Sequence, residues 1–275
     1  MRILLSLFLF SCCIGLTFGQ PAIHYGSADG KYLSIRKSRI YYEEYGKGIP
    51  LLLLHGGFGS IQDFQKVIPE LSRHYRVIAI DSPGHGRSEQ ADSLSYPLLA
   101  SYFSMVIDVL KLDSVYVLGW SDGGNAALIL AADRPDKVKK TVVSGANSTT
   151  DGLAAGLVDQ FKLLTPDYVA ANMKEWLNGY KKLSPQKDSW RKFVSDSQKM
   201  WITRIAVPES KMKQIRRPVL LIIGDRDITR LEHGIEMHRL IKGSEFAVLP
   251  GTSHYTFSLK PDLITRLIVE FLGKR

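Results

Sequence analysis

Short apolar runs alternate with longer amphipathic segments along most of this chain. The runs predict strands buried on both faces, as in a parallel sheet. They lie at 51–54, 76–80, 115–118, 141–144, 218–223 and 246–249. The segments between them predict helices at 62–73, 97–110, 231–241 and 261–272. A further helix is predicted after the run at 115–118, and Pro135 terminates it. Residues 31–45 alternate in polarity and predict an antiparallel hairpin with one wet face. This order predicts an α/β fold, a mostly parallel sheet with helices on both sides.

The alternation breaks between residues 147 and 214, where no clean strand run occurs. Short amphipathic segments there predict a helical cap inserted into the core. The predicted organisation is a first core part at 20–146, a cap at 147–214 and a second core part at 215–275. The cap carries Trp176, Trp190 and Trp201. These side chains either pack the cap onto the core or roof a pocket, and the sequence leaves both options open.

The first nineteen residues have the layout of a secretory signal. Arg2 precedes an apolar run that is too short to span a bilayer comfortably, and small residues follow. We expect residues 1–19 to be removed by cleavage after Gly19, which predicts a secreted or periplasmic protein. Cys12 would allow a lipoprotein anchor instead, but bulky Phe10 fits such a site poorly. Both cysteines lie in this segment, so the mature chain would contain no disulfide and no thiol nucleophile.

Composition and charge narrow the possible partners. The chain of 275 residues has a formal net charge of +9, but no basic stripe is interleaved with aromatic residues. We therefore expect a solvated basic surface and no nucleic-acid partner. No dense His/Asp/Glu cluster occurs, so neither a metal nor another cofactor is expected. Stable membrane insertion is not expected once the signal is removed. The expected partner is a small molecule, and the oligomeric state stays open.

The first candidate for chemistry is the pentapeptide Gly-x-Ser-x-Gly at 119–123. It lies between the predicted strand at 115–118 and an Ala/Leu-rich segment that predicts a helix. A strand-to-helix turn this tight needs small residues on either side of its centre. It would hold the hydroxyl of Ser121 above the carboxyl end of the sheet. In the simpler alternative, Ser121 only caps the helix.

Two other predicted strand ends supply the partners that a serine nucleophile needs. Asp227 follows the strand at 218–223, and His254 follows the strand at 246–249. A hydroxyl is a weak nucleophile without a base, imidazole is a suitable base near neutral pH, and a carboxylate fixes its tautomer. Ligands of open α/β sheets bind at the carboxyl ends of the strands. The sequence therefore points to acyl transfer at this edge of the sheet.

With these motifs in place, the sequence resembles the α/β-hydrolase family over essentially the whole mature chain. The resemblance rests on His55-Gly56-Gly57, Asp81-x-Pro-Gly-His-Gly-x-Ser88, Gly119-Trp-Ser-Asp-Gly-Gly, Gly224-Asp-x-Asp227 and Gly251-Thr-Ser-His254. It implies an α/β-hydrolase fold: an eight-stranded, mostly parallel sheet flanked by helices, with an inserted helical cap. It also implies Ser121 as nucleophile, Asp227 as orienting acid and His254 as general base. Asp225 competes with Asp227, which the family pattern favours.

The resemblance further implies an oxyanion hole and substrate contacts. One backbone donor would be the N–H of Asp122, and the second would be Gly57, with Phe58 as the alternative because the extra glycine makes the register ambiguous. Asp122, Trp120 and Phe58 are the expected substrate-binding residues. The Gly-Trp-Ser-Asp-Gly-Gly turn looks like that of a subgroup that includes amino-acid ester hydrolases, so the Asp122 carboxylate is a candidate for binding a substrate amine. Otherwise it is a helix-terminal residue stabilised by the dipole.

The remaining histidines have simpler expected roles. His55 and His85 lie in turns, where hydrogen bonding to the backbone is the usual function. His233 and His238 lie on the predicted helix at 231–241 and are expected at the surface.

The leading functional hypothesis is a serine hydrolase that cleaves a small carboxylic ester, thioester or lactone through an acyl-enzyme. The same triad would also serve an amidase or peptidase, a carbon–carbon bond hydrolase or a perhydrolase. Dehalogenase and epoxide-hydrolase chemistry is disfavoured because those relatives carry an aspartate at the position of Ser121. A binding module on a hydrolase scaffold is the non-enzymatic alternative.

Overall fold

The computed structural model describes Gly26 and residues 30–274. The predicted signal segment, its cleavage point after Gly19 and the possible anchor at Cys12 all lie outside the described residues. No helix among the described residues is both long enough and apolar enough to cross a bilayer.

A single sheet of eight strands forms the centre of the described chain. The strands are β1 Lys31–Ile35, β2 Ser38–Tyr45, β3 Pro50–Leu54, β4 Arg76–Ile80, β5 Val115–Trp120, β6 Val138–Ser144, β7 Val219–Arg226 and β8 Glu245–Ser253. Their order across the sheet is β1-β2-β4-β3-β5-β6-β7-β8. The pairs β1–β2 and β2–β4 are antiparallel and the others are parallel. The predicted mostly parallel α/β sheet is confirmed.

Eleven α-helices accompany this sheet in the described part of the chain. They are α1 Ile68–His74, α2 Tyr96–Val109, α3 Asp122–Asp133, α4 Leu157–Leu163, α5 Pro166–Asn172, α6 Lys174–Leu183, α7 Trp190–Trp201, α8 Glu209–Gln214, α9 Leu231–Leu240, α10 Thr256–Leu259 and α11 Pro261–Gly273. Short 3₁₀ turns lie at Ile61–Phe64, Thr150–Gly152 and Lys187–Ser189. One apolar cluster joins a face of the sheet to α2, α3, α8 and α9, and a second joins the opposite face to α1, α10 and α11.

The segment predicted as one helix at 62–73 is instead broken into a 3₁₀ turn and α1. Pro69 lies in the first turn of α1. Proline has no N–H to donate four residues back, and its ring would clash with that carbonyl, so a continuous helix through this position is disfavoured. The 3₁₀ turn is fixed separately by a capping box between Ser60 and Asp63.

The hairpin is also more enclosed than its sequence pattern suggests. β1 is largely exposed, but residues 40–43 of β2 are buried on both faces of the sheet. The expectation of one wet face is therefore wrong for β2. The reason is that alternate residues of β2 join different apolar clusters, since Ile40 and Tyr42 pack into the cluster on one face and Tyr41 into the cluster on the other.

The region predicted as a cap contains five helices, which pack in two places. Residues of α5, α6 and α7 form a separate apolar cluster above the sheet. In contrast, α8 packs with α3 and α9, and Met212 of α8 belongs to the core cluster. The cap helices α4 to α7 therefore cover the carboxyl ends of the strands, where the candidate site lies.

Candidate active site

The turn between β5 and α3 holds Ser121 in an unusual backbone conformation, with φ 54° and ψ −118°. Such a conformation costs a non-glycine residue about 1–3 kcal/mol, so the surrounding structure must impose it. A Cβ at Gly119 would lie 2.3 Å from the carbonyl oxygen of Gly123, and one at Gly123 would lie 2.1 Å from that of Leu54. Only glycine fits at these two positions. The Ser121 side chain makes no capping bond to α3, so its hydroxyl is available for other partners.

Three predicted residues come together at the carboxyl ends of β5, β7 and β8. Ser121 Oγ lies 2.9 Å from His254 Nε2, and His254 Nδ1 lies 2.7 Å from Asp227 Oδ1. The Asp227 side chain is fully buried, and that of His254 is 11% exposed. Asp227 also accepts hydrogen bonds from the backbone N–H groups of Gly224 and Thr229. The carboxylate is thus fixed in place, as an orienting acid requires.

The competing carboxylate, Asp225, lies elsewhere. Its two oxygens accept hydrogen bonds from the backbone N–H groups of Gly251 and Thr252, at 2.9 and 3.0 Å. It therefore holds the end of β8 and makes no bond to His254. The structure brings Asp227, and not Asp225, to the imidazole.

This arrangement can transfer protons between substrate and base. If Nδ1–H of His254 donates to Asp227, Nε2 is left as the acceptor for the hydroxyl of Ser121. The indole of Trp120 donates to the backbone carbonyl of His254 at 2.9 Å. Trp120 therefore anchors the histidine loop as well as lining the cavity beside it.

The predicted oxyanion donors lie on two segments that face each other. Asp122 is the first residue of α3, where backbone N–H groups have no partner within the helix. Opposite, a Cβ at Gly56 would lie 3.1 Å from the Cβ of Ser121. The next two residues, Gly57 and Phe58, both line the cavity. Phe58 has φ 58°, and its carbonyl accepts a hydrogen bond from the Trp176 indole at 2.9 Å.

The side chain of Asp122 points into the same cavity and is only 6% exposed. Its Oδ1 accepts a hydrogen bond from the Tyr96 hydroxyl at 3.0 Å, and its Oδ2 accepts one from the Trp201 indole at 2.7 Å. Burial raises the pKa of Asp122, and these two donors partly oppose that rise. Sequence reasoning missed Tyr96, and it named Trp201 only as a possible pocket roof, without the bond to Asp122, since no motif connects either residue to the turn.

The cavity above Ser121 has a volume of about 340 Å³. Its wall includes Trp120 and Phe58, the other predicted substrate contacts. Apolar side chains from the cap and core complete it: Leu153, Phe161, Leu164, Met173, Trp176, Trp201 and Ile228. Two carboxylates, Asp63 and Asp122, are in this wall, which contains no lysine or arginine among the described residues.

Histidines outside the triad are held by backbone groups. His55 and His85 are buried, and their Nδ1 atoms lie 2.7 and 3.1 Å from the carbonyls of Gly56 and Pro83. Burial lowers the pKa of His55 to about 4 and that of His85 to about 3, so both stay neutral near pH 7.

The expectation of a surface position is wrong for His233, which is 4% exposed. Its Nε2 accepts a hydrogen bond from the N–H of Ser148 at 3.0 Å, because this face of α9 turns towards the start of the cap. His238 is half-buried and bonds to the Ser244 hydroxyl. Within the described part of the chain, no group of three or more His, Cys, Asp or Glu side chains is arranged to hold a metal ion.

Comparison with known proteins agrees with this architecture. The sequence profile of the alpha/beta hydrolase fold matches residues 49–261, more than half of the chain. The chain therefore belongs to the alpha/beta hydrolase fold family, and it is an enzyme of that family.

Individual relatives share most of its length. The 2-hydroxy-6-oxo-2,4-heptadienoate hydrolase of Pseudomonas putida is 28% identical over 253 residues, which cover 84% of this chain and 91% of the relative. The serine hydrolase BPHL of Homo sapiens is 28% identical over 279 residues, covering 92% and 89%. Among solved structures, the enol-lactonase of Burkholderia xenovorans matches with a TM-score of 0.71 at 20% identity, covering 89% of this chain and 100% of that chain. All three names describe hydrolytic enzymes.

Proposed function

We propose that this protein is a serine hydrolase that cleaves a small carboxylic ester, thioester or lactone. The observation that carries this proposal is the continuous chain of hydrogen bonds from Ser121 through His254 to Asp227, at 2.9 and 2.7 Å. The strained backbone at Ser121 supports it, because such strain is typical of functional sites. A binding module would need neither feature.

In the proposed mechanism, Ser121 Oγ attacks the substrate carbonyl carbon while His254 Nε2 takes the hydroxyl proton. The negative charge that develops on the carbonyl oxygen is bound by the N–H of Asp122 and by that of Gly57 or Phe58. His254 then gives its proton to the leaving oxygen or sulfur, and an acyl ester remains on Ser121. Water, deprotonated by His254, hydrolyses that ester and regenerates the hydroxyl.

Charge favours this substrate class over a carbon–carbon bond hydrolase. A dienoate, the substrate in the name of the Pseudomonas putida relative, carries a carboxylate. The cavity here has Asp63 and Asp122 in its wall and no lysine or arginine among the described residues, so it would repel an anion. The small volume and apolar lining suit a neutral or cationic acyl compound. Phe58 and Trp120 are the proposed apolar contacts.

We further propose that the Asp122 carboxylate recognises a substrate amine. Both protein groups that donate to it, Tyr96 and Trp201, are neutral, and no described lysine or arginine pairs with it, although a charge on the nearby His254 would favour the ionised carboxylate. Asp122→Asn would keep the shape and remove the charge. We expect this variant to lose its preference for aminoacyl esters over neutral esters. An unchanged preference would exclude amine recognition by Asp122.

The direct test is hydrolysis of p-nitrophenyl esters, thioesters, lactones and aminoacyl esters, with Ser121→Ala as the matched control. We expect activity with at least one ester class and its loss in the variant. Equal background rates from both proteins would overturn the proposal. Covalent labelling by a fluorophosphonate, which needs an activated serine, would then separate an amidase or carbon–carbon hydrolase from a binding module.

A separate proposal concerns the destination of the chain. The apolar layout of residues 1–19 supports removal after Gly19 and a secreted or periplasmic location. Mass spectrometry of the protein recovered from its producing cells should find Gln20 as the first residue. A lipidated Cys12 or an intact start would contradict this proposal.

A further inference from the structure

One carboxylate that the triad does not use lies where three cavities meet. Asp63 is in the wall of the 340 Å³ cavity above Ser121 and also in the walls of two neighbouring cavities of about 230 Å³ each. The cavity on the cap side shares Phe58, Gly59 and Trp176 with the main one. We call this cap-side space the second cavity. Asp63 therefore faces both the candidate active site and the second cavity.

Asp63 has one structural task and one unused oxygen. Its Oδ2 accepts a hydrogen bond from the N–H of Ser60 at 3.1 Å, which completes the capping box of the 3₁₀ turn. Its Oδ1 accepts no hydrogen bond from any described residue, and no described lysine or arginine lies within ion-pair distance. Burial raises the pKa of Asp63 to about 6. The group is therefore still mostly ionised at neutral pH, without a counter-ion.

The loop beside Asp63 leaves space for the carboxylate. A Cβ at Gly59 would lie only 2.0 Å from Asp63 Oδ2, and a Cβ at Gly57 would lie 2.4 Å from Asp122 Oδ2. The two glycines thus place the same loop against two carboxylates, with Phe58 between them in sequence. One carboxylate is next to the nucleophile, and the other opens onto the second cavity.

The second cavity has an aromatic wall and no fixed positive charge. The rings of Phe58 and Trp176 stack at 4.2 Å, and those of Tyr180 and Phe193 stack at 5.1 Å. All four line the cavity, with no lysine or arginine among its described lining residues. His85, which also lines it, is neutral because burial lowers its pKa to about 3. These rings give the alkyl groups of an organic cation an apolar surface to contact, and the nearby carboxylate attracts its charge.

We propose that the second cavity binds an alkylammonium group of the substrate, with Asp63 as its counter-ion and the aromatic rings as its walls. This proposal rests on the proposed hydrolase function only in describing the bound cation as part of a substrate, because binding itself needs no catalysis. A volume of about 230 Å³ accommodates a group of several heavy atoms and not a whole large ligand. This site differs from the amine contact proposed for Asp122, whose oxygens already accept bonds from Tyr96 and Trp201.

The test compares choline with 3,3-dimethylbutan-1-ol, a neutral alcohol of nearly the same shape. Both are titrated into the Ser121→Ala protein, so that turnover plays no part, and binding is followed by the NMR signal of the Trp176 indole. We expect choline to bind at least about tenfold more tightly, a difference of about 1.4 kcal/mol. Asp63→Asn in the same background should reduce this ratio to about one, because the variant has no charge at this position. The amide oxygen can still accept the Ser60 hydrogen bond, so the 3₁₀ turn should be kept.

A matched variant separates charge from structure. Ser60→Ala breaks the other half of the capping box but keeps the Asp63 charge, so the choline preference should remain. Equal affinities for the two alcohols before substitution would overturn the proposal. So would a preference that survives Asp63→Asn, or one that is lost with Ser60→Ala.

Failure of this proposal and failure of the hydrolase proposal give different results. A choline preference without any Ser121-dependent hydrolysis would leave the cation site standing and overturn the enzyme assignment. Hydrolysis of esters without a choline preference would do the reverse. If both proposals are correct, choline esters should be cleaved with a higher kcat/KM than the matching 3,3-dimethylbutyl esters, and Asp63→Asn should remove that difference.

Discussion

The contact between Gly57 and the Asp122–Trp201 hydrogen bond gives a sharp test of the active-site geometry. In Gly57→Ala, the new Cβ would lie 2.4 Å from Asp122 Oδ2 and 2.5 Å from Trp201 Cζ2, whereas ordinary contacts are 3.4–4 Å. Either the loop or its two neighbours must therefore move by about 1 Å. A misplacement of that size near the reacting atoms costs roughly 10²-fold in rate.

Each way of relieving the overlap has its own signature. If the loop moves, an oxyanion donor leaves its position, and kcat should fall by roughly 10²–10³-fold with little change in KM. If Trp201 moves instead, the hydrogen bond to the Asp122 carboxylate is lost, and the free energy of unfolding should fall by about 1.5–3 kcal/mol. Steady-state hydrolysis of the best ester and urea unfolding of the same preparation measure the two effects together.

Gly273→Ala is the matched control. A Cβ at Gly273, the last residue of α11, would meet nothing within 4 Å, so kcat should be unchanged. The free energy of unfolding should change by less than about 1 kcal/mol. If Gly57→Ala also kept the parent kcat and the parent free energy of unfolding, the close-contact argument would be refuted.

Three further predictions test other parts of the structure. Asp227→Asn should lower kcat by about 10⁴-fold, since an amide supports the wrong tautomer of His254; a loss below tenfold in steady-state assays would contradict the assigned role. Trp176→Phe keeps the ring stack but removes the hydrogen bond to the Phe58 carbonyl, so kcat should fall while the melting temperature changes little, and equal kcat values would argue against loop positioning. His55 is buried with its pKa lowered from 6.5 to about 4, so between those pH values the unfolded chain binds more protons than the folded chain. The free energy of unfolding therefore decreases as the pH is lowered through this range. His55→Gln should make the loss of unfolding free energy between pH 7 and pH 5 smaller by roughly 2 kcal/mol, and identical urea-measured losses would show that His55 is not the titrating group.

Local sequence signals were sufficient to predict the sheet and the candidate site residues that follow its strands. Apolar runs and tight glycine turns are properties of short segments, so β5, its turn and Ser121 could be predicted together. Asp227 and His254 could be predicted because parallel strands bring their carboxyl ends to one edge of the sheet. The structure places their side chains within hydrogen-bond distance of each other and of Ser121.

No local sequence pattern predicted the contacts between residues that are far apart along the chain. Tyr96 and Trp201 reach Asp122 from 26 and 79 residues away along the chain, and no spacing rule links them. The burial of His233 depends on Ser148, which lies 85 residues away. Asp63 was not among the predicted site residues, and its place between cavities follows from how the cap packs. The polar contacts that shape the site are therefore set by tertiary structure.

The backbone conformation of Ser121 also limits how this enzyme can evolve. With φ 54°, the position favours residues that tolerate positive φ, and β-branched side chains there are steric outliers. Aspartate has no branch at Cβ, so a lineage could exchange the proposed hydroxyl nucleophile for a carboxylate without the clash that a β-branched side chain would cause. Threonine, although it offers the same hydroxyl, would require the turn to be rebuilt. At this position, replacement by aspartate is therefore sterically easier than replacement by threonine.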